Sequence, residues 1–244
     1  LGEIAQVKVP RGYVFADGDD AREIMEYFGN PPTDRELGYI EPASENANWY
    51  VIFEFSETGY VKDDEKDKID ADELMDSFRE GNKSANEWRA ERGMPALNVV
   101  GWQIQPDYKD DTNTLEWATK LESGGQEIVN YNIRMLGRSG VMEATIVLDE
   151  SDVKGVVPGV KKILSGYDFK EGHRYADYVE GDPIAEYGLT ALIAGGAVAV
   201  AAKAGIFGIL IAFLRKGWVL LLAAGAAVVG FLRRMMGGGG NTAA

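Results

Sequence analysis

One histidine, no cysteine and 39 carboxylates leave few routes to chemistry in this 244-residue chain. His173 would have to serve any Ser-His-Asp triad, yet no Gly-x-Ser-x-Gly elbow is present, and its neighbours Arg174 and Tyr175 suggest a surface turn. Without thiols there are no disulfides, cysteine nucleophiles or thiolate zinc sites. The densest acids are Asp63, Asp64, Glu65, Asp67, Asp70, Asp72, Glu73 and Asp76, which raises calcium as a hypothesis. Counted from Asp63, however, the glycine position of a calcium loop is Lys68 and its bidentate glutamate position is Leu74, so the stretch reads as a solvated loop and helix start. Gly137-Arg138-Ser139-Gly140 lacks phosphate-loop spacing and falls between strand-like runs. The residue types thus predict no catalytic, metal or cofactor site, and lean away from an enzyme.

The elements that would position any site follow from periodicity. Ile4 to Val9 alternates as a short strand, and Pro10-Arg11-Gly12 then turns the chain into Tyr13-Val14-Phe15, which predicts a hairpin. Asp17 to Asp20 supply caps for a helix through Ile24, Met25 and Phe28, stopped by Gly29-Asn30-Pro31-Pro32. Trp49 to Phe55 alternates with period two, its aromatics calling for a sheet covered on at least one side. Asp70 with Glu73 starts a long helix through Leu74, Phe78, Ala85 and Trp88, ending at Gly93. Val99–Ile104, Leu115–Leu121, Ile128–Leu136 and Val141–Leu148 are strand-like, and the short turns between the last three predict an antiparallel meander. A helix from about Ser151 to Leu164, broken or begun at Pro158-Gly159, leads to Tyr167-Asp168-Phe169 as a closing strand. The order indicates an α+β class, an antiparallel sheet packed by helices, similar to the Mog1/PsbP-type sandwich.

Charge divides the chain in two. From Tyr187 onward there is no Asp or Glu, and the only ionised side chains are Lys203, Arg215, Lys216, Arg233 and Arg234. Removing those five from the 25 basic residues leaves 20 against 39 acids, so residues 1–186 carry about −19 and the rest +5. Such an acidic domain repels phosphate backbones, which excludes nucleic acid as a partner. We therefore expect an extracytoplasmic domain over 1–180, a linker over 181–188, a membrane region over 189–232 and a basic, glycine-rich tail over 233–244.

Leu189–Leu214 is interrupted only by Lys203 and, at about 39 Å as a helix, exceeds the roughly 30 Å of a hydrocarbon core. Trp218–Leu232 is shorter, roughly 23 Å by the same rise. A helical hairpin would turn at Arg215-Lys216 and return Arg233-Arg234 to the starting side, whereas an interfacial first segment with one span would put those arginines inside. Length favours the hairpin. Ala191, Gly195, Ala199 and Lys203 form one stripe of small residues ending in a lysine, Ala197, Ala201 and Gly205 lie beside it, and Ala226 with Gly230 repeats the spacing. Such stripes let helices approach closely, which predicts lateral packing into a homo-oligomer. Lys203 has no acid in the run to pair with, so it would contact lipid or a second subunit, or snorkel.

Several stretches together resemble a bacterial family of unknown function, numbered two-one-six-seven and described as predicted membrane-anchored proteins. They are Trp49-Tyr50-Val51-Ile52-Phe53-Glu54-Phe55, Gly59-Tyr60-Val61-Lys62-Asp63-Asp64, Val99-Val100-Gly101-Trp102, Val129-Asn130-Tyr131-Asn132, Leu136-Gly137-Arg138 and Gly172-His173-Arg174-Tyr175-Ala176-Asp177-Tyr178. The resemblance implies a removed signal peptide, a periplasmic domain and a C-terminal segment in the bacterial inner membrane, and offers no catalytic residues. The expected function is a structural or scaffold component of a homo-oligomeric membrane assembly. The alternative is a module that binds a lipid or small envelope ligand in a pocket near Trp102 and Trp117.

Overall fold

A computed structural model describes residues 1–27, 33–44, 47, 49–90, 93 and 95–194. Its centre is the aromatic strand anticipated above, Tyr50–Ser56 (β4), every residue of which is buried. That burial requires cover on both faces, and the chain supplies it. Val51, Phe53 and Phe55 point to one side, where they meet helix Val153–Leu164 (α3) and the small sheet formed by Ala5–Val7 (β1) with Tyr167–Phe169 (β9). Tyr50 and Ile52 point to the other, against helix Gly18–Tyr27 (α1).

The main sheet has seven antiparallel strands. Tyr13–Asp17 (β2), Glu36–Pro42 (β3) and β4 follow one another from one edge. The chain then crosses through helix Ala71–Ala90 (α2) to the far edge and meanders back through Asn98–Lys109 (β5), Thr114–Ser123 (β6), Gln126–Leu136 (β7) and Val141–Asp149 (β8). The last strand pairs with β4 from Tyr50↔Val147 to Ser56↔Val141, closing the sheet along its middle. With α3 on one face and α1 and α2 on the other, the domain is α+β, as expected.

Capping chemistry starts the helices where the sequence puts it. Asp17 Oδ1 accepts the Asp19 and Asp20 amides at 3.1 and 3.2 Å, and Asp70 Oδ1 accepts those of Asp72 and Glu73, both at 3.0 Å. The α2 side chains also guard an edge: Asn86 Oδ1 takes the Leu97 amide at 2.8 Å, and Asn82 Oδ1 takes that of Val99 at 3.2 Å.

Two expectations are corrected. Residues 4–9 and 13–15 do not form a hairpin: β1 pairs with β9, 160 residues away by the Val7↔Tyr167 register, and β2 pairs with β3. A short turn favours neighbouring strands only when both belong to the same sheet, and Lys8 N–H instead donates to Gly166 O at 2.9 Å. Pro158 lies inside α3 without ending it. Phe28 and the Gly29–Pro32 stop lie outside the described residues, as do the side chains of Ala85 and Trp88.

Two glycines report opposite packing. A Cβ at Gly140 would collide with the Ser56 carbonyl and with Phe55, where the β7–β8 turn meets β4, whereas one at Gly155 on α3 would meet nothing. Gly140→Ala should cost about 2 kcal/mol or more and lower the melting temperature by about 4–8 °C. Gly155→Ala should stabilise by about 0.5–1 kcal/mol. Thermal and urea denaturation of the two variants checks both.

Candidate functional site

Glu54 is the residue that does not belong in an aromatic strand. On the Tyr50/Ile52 face of β4 it lies directly opposite Glu143 of β8, which in turn lies opposite Arg134 of β7. Like charges facing each other across a ladder are unfavourable unless cations intervene. Two guanidiniums do so. Arg35 Nη2 donates to Glu54 Oε1 at 3.0 Å and its Nη1 lies 3.6 Å from Glu143 Oε1, while Arg134 Nη2 lies 3.1 Å from Glu143 Oε2. Ser56 Oγ donates to Glu143 Oε1 at 2.5 Å and accepts from Arg35 Nη1 at 3.1 Å.

The cluster is buried except on the Arg35 side, where that side chain is 34 % exposed. Glu54 is 6 % exposed and Arg134 3 %, and the Arg134 guanidinium lies over the Trp117 ring at 5.2 Å. A third carboxylate, Glu36, is held by the Thr33 hydroxyl at 2.6 Å, with Arg22 Nε at 3.9 Å. Burial raises the Glu54 carboxyl to about 7, with Arg35 opposing and Glu143 adding to the rise. Desolvation works against the Arg35 charge, but Glu54 and Glu143 outweigh it and hold its pKa above the ordinary value. The arrangement can keep a proton near neutrality. It does not activate Ser56 as a nucleophile, because Glu143 is committed to two cations as well as to the hydroxyl.

From Ser56 the chain runs straight to the point where it leaves the sheet. Gly59 N–H donates to Ser139 O at 3.0 Å, Tyr60 N–H to Pro183 O at 2.8 Å, and Ala185 N–H to Tyr60 O at 2.9 Å. Gly59, at φ 87°, can approach 183–185 because a side chain there would strike the Pro183 carbonyl. Tyr60 is sandwiched between Tyr175 and Tyr178, with centroids 4.4 and 4.2 Å away. Arg138 grips Asp182 with two hydrogen bonds, 2.7 and 2.9 Å, and these hold the Asp182 carboxyl below its usual range. Tyr187, pushed up to about 12 by burial, sits within the field of Glu143, Arg134 and Arg35. Residues 181–188 are thus bound to the domain. Helix Leu189–Ile193 (α4) follows, with Leu189, Leu192 and Ile193 packed among Val61, Leu74, Leu115, Trp117, Leu136 and Val141.

Sequence-predicted residues fall as follows. Ala191 is half-buried on α4, away from the three core side chains. Gly195, Ala197, Ala199, Ala201, Lys203, Gly205, Arg215, Lys216, Ala226, Gly230, Arg233 and Arg234 lie outside the described residues. No helix among the described residues is long and apolar enough to cross a membrane. His173 occupies a turn, its amide bonded to Lys170 O and its carbonyl accepting Arg138 N–H at 2.9 Å. Parts of the acidic stretch do structural work: Asp63 accepts the Tyr108 hydroxyl at 3.1 Å, Lys66 pairs with Asp110, and Gly188 makes room for the Glu65 carboxylate. Among the described residues no group of three or more His, Asp or Glu could hold a metal. The Trp102 indole N–H is bonded to Ala71 O at 2.9 Å and its ring packs edge-on to Phe78.

Sequence reasoning missed the charge cluster and the clamp on 181–188. The usable signal was a lone Glu54 on the apolar face of β4, with Arg134 and Glu143 inside two other strands. Because the folded-state pKa of Glu54 is raised, between 4.5 and about 7 the folded protein binds a proton that the unfolded chain does not, so stability falls as pH rises through that window. Relative to Glu54→Gln, the wild type should lose up to about 3 kcal/mol between pH 4.5 and 8. Urea unfolding of both proteins across that range measures the difference.

Three solved structures are similar to this chain. Cyanobacterial PsbP from Synechocystis sp. PCC 6803 is 12% identical, with a TM-score of 0.39 over 68% of this chain and 93% of that one. LpqN of Mycobacterium tuberculosis, involved in cell envelope biogenesis, is 9% identical, with a TM-score of 0.36 over 68% and 82%. PA94 from Pseudomonas aeruginosa, a protein of unknown function and putative regulator, is 9% identical, with a TM-score of 0.26 over 66% and 93%. All three likenesses are distant, and no curated protein matches the chain. The sequence pattern of one family runs through the β4, β7 and clamp segments and matches residues 1–226, so the chain belongs to the family described as protein of unknown function DUF2167.

Proposed function

We propose that this chain is a membrane-anchored extracytoplasmic protein without catalytic activity, whose domain, a Mog1/PsbP-type sandwich, serves as a structural component of a homo-oligomeric assembly in a bacterial inner membrane. The observation that carries the reading is the origin of the apolar run. Its first residues, Leu189, Leu192 and Ile193, are core residues of the acidic domain, so the domain is docked at its own attachment point and does not swing on a tether. Burying three aliphatic side chains contributes about 5–9 kcal/mol. Fixing the five backbones of α4 costs about 5–10 kcal/mol, so the dock is nearly balanced and the Arg138–Asp182 grip upstream decides whether it stays closed.

The oligomer is supported by the side of α4 that is left over. Ala191 faces away from the core trio, and its i+4 spacing continues in sequence through Gly195 and Ala199 to Lys203. A hairpin of spans belongs to the same reading, its first span shortened from 189–214 to 195–214, about 30 Å as a helix, because 189–194 are taken up by the domain, and its second at 218–232.

A chain without cysteine makes the test direct. Full-length protein exported in a bacterial host should remain in the membrane pellet after a carbonate wash, and Gln126→Cys should react with an impermeant maleimide in intact spheroplasts. Release by carbonate, or labelling only after lysis, contradicts the placement, and a strictly monomeric species in native mass spectrometry contradicts the assembly. Arg138→Ala should leave the core amides protected but speed hydrogen exchange at residues 182–193 by an order of magnitude or more, since local opening there no longer breaks the grip.

A further inference from the structure

Exposed large hydrophobic side chains are few among the described residues, and two of them share one loop. Val179 is 52 % exposed and Ile184 46 %, whereas Phe15, Tyr27 and Val100 are scattered over β2, α1 and β5. Single exposed aliphatics need no explanation, but a pair held rigidly beside a chain exit does. The loop is rigid for reasons already visible: Asp182 N–H donates to Val179 O at 3.0 Å, the Asp182 carboxylate accepts the Val179 amide at 2.9 Å, and Ile184 bridges in parallel to Tyr60. Arg138 locks the turn from the β7–β8 hairpin.

We propose that this loop, residues 179–184 with the Tyr60–Tyr175–Tyr178 stack behind it, is a contact surface for the interfacial layer of a lipid bilayer. The proposal rests on the membrane attachment above and names the part of the domain that meets the membrane. Two features single out lipid as the occupant. First, Ile184 stands five positions before Leu189, and the 50 residues after Ala194 contain no acid and include a 20-residue apolar run, 195–214, broken only by Lys203 and of about membrane-spanning length, followed by a shorter one at 218–232. Second, the exposed aliphatics are backed by the partly exposed rings of Tyr60 and Tyr178, and amphipathic tyrosine rings favour the headgroup level. Glu180 lies within it and Glu186 just after it, and carboxylates are excluded from hydrocarbon, so the loop rests among headgroups without inserting. The β6–β7 turn at Gln126 lies at the opposite end of β7, about 35 Å away along the strand.

The test uses the full-length protein in phosphatidylcholine vesicles, with an environment-sensitive fluorophore on a single cysteine at Val179, Ile184 or Gln126. Flotation is scored first, then quenching by lipids carrying a nitroxide near the headgroup. Labels at 179 and 184 should be quenched several-fold more than the label at 126, and Val179→Glu with Ile184→Cys should reduce quenching at 184 while the protein still floats. Flotation with equal quenching at all three sites overturns the seating and leaves the attachment standing. Failure to float overturns the attachment and the seating with it.

Discussion

Two carboxylates face each other across the central seam of the sheet, and the surrounding architecture is arranged to make that tolerable. Glu54 and Glu143 occupy paired positions on β4 and β8, the one ladder that joins the N-terminal strands to the meander. An unpaired buried charge costs several kcal/mol, so the seam holds only while Arg35, entering from beside β3, and Arg134, from β7, reach it. Four strands and their order are thereby tied to one cluster. Hydrophobic residues of similar volume would satisfy the same space, but they would pair as well in a neighbouring register, whereas matched charges at fixed ladder positions do not.

The cluster is also contiguous with the chain's way out. Ser56 belongs to it, Gly59 and Tyr60 follow within four residues, and these hold Pro183 and Ala185. Trp117 carries Arg134 on its ring and packs in the same core as Leu189 and Ile193. Electrostatics at the seam and the docking of α4 therefore share side chains. Four of the six stretches through which the family resemblance was read, at 49–55, 59–64, 136–138 and 172–178, converge on this end of the sheet, whereas 99–102 and 129–132 lie on β5 and on the far part of β7.

Local pattern was legible and long-range partnership was not. The helices α1 and α2 could be read because Asp17 and Asp70 cap them and apolar spacing follows, and the meander because glycine-bearing turns separate period-two runs. Strand β3 escaped notice: Glu36–Pro42 contains Gly38, two acids and a terminal proline, and owes its conformation to pairing on both sides. Nothing local says that β8 returns to β4, so Glu54, Glu143, Arg134 and Arg35 could be seen singly but not as a site. The same blindness paired β1 with its sequence neighbour.

The pairing of β1 with β9 bears on how the protein is made. Ala5 to Val7 find their partners only at Tyr167 to Phe169, and β4 finds β8 only after residue 141. A chain delivered N-terminus first therefore presents open strand edges for most of its length, and closes only when nearly all of the domain has emerged. The apolar run follows about twenty residues behind that closing strand. Completion of the sheet therefore comes late in the chain, and the yield of folded protein depends on how long its unfinished edges are kept from pairing elsewhere.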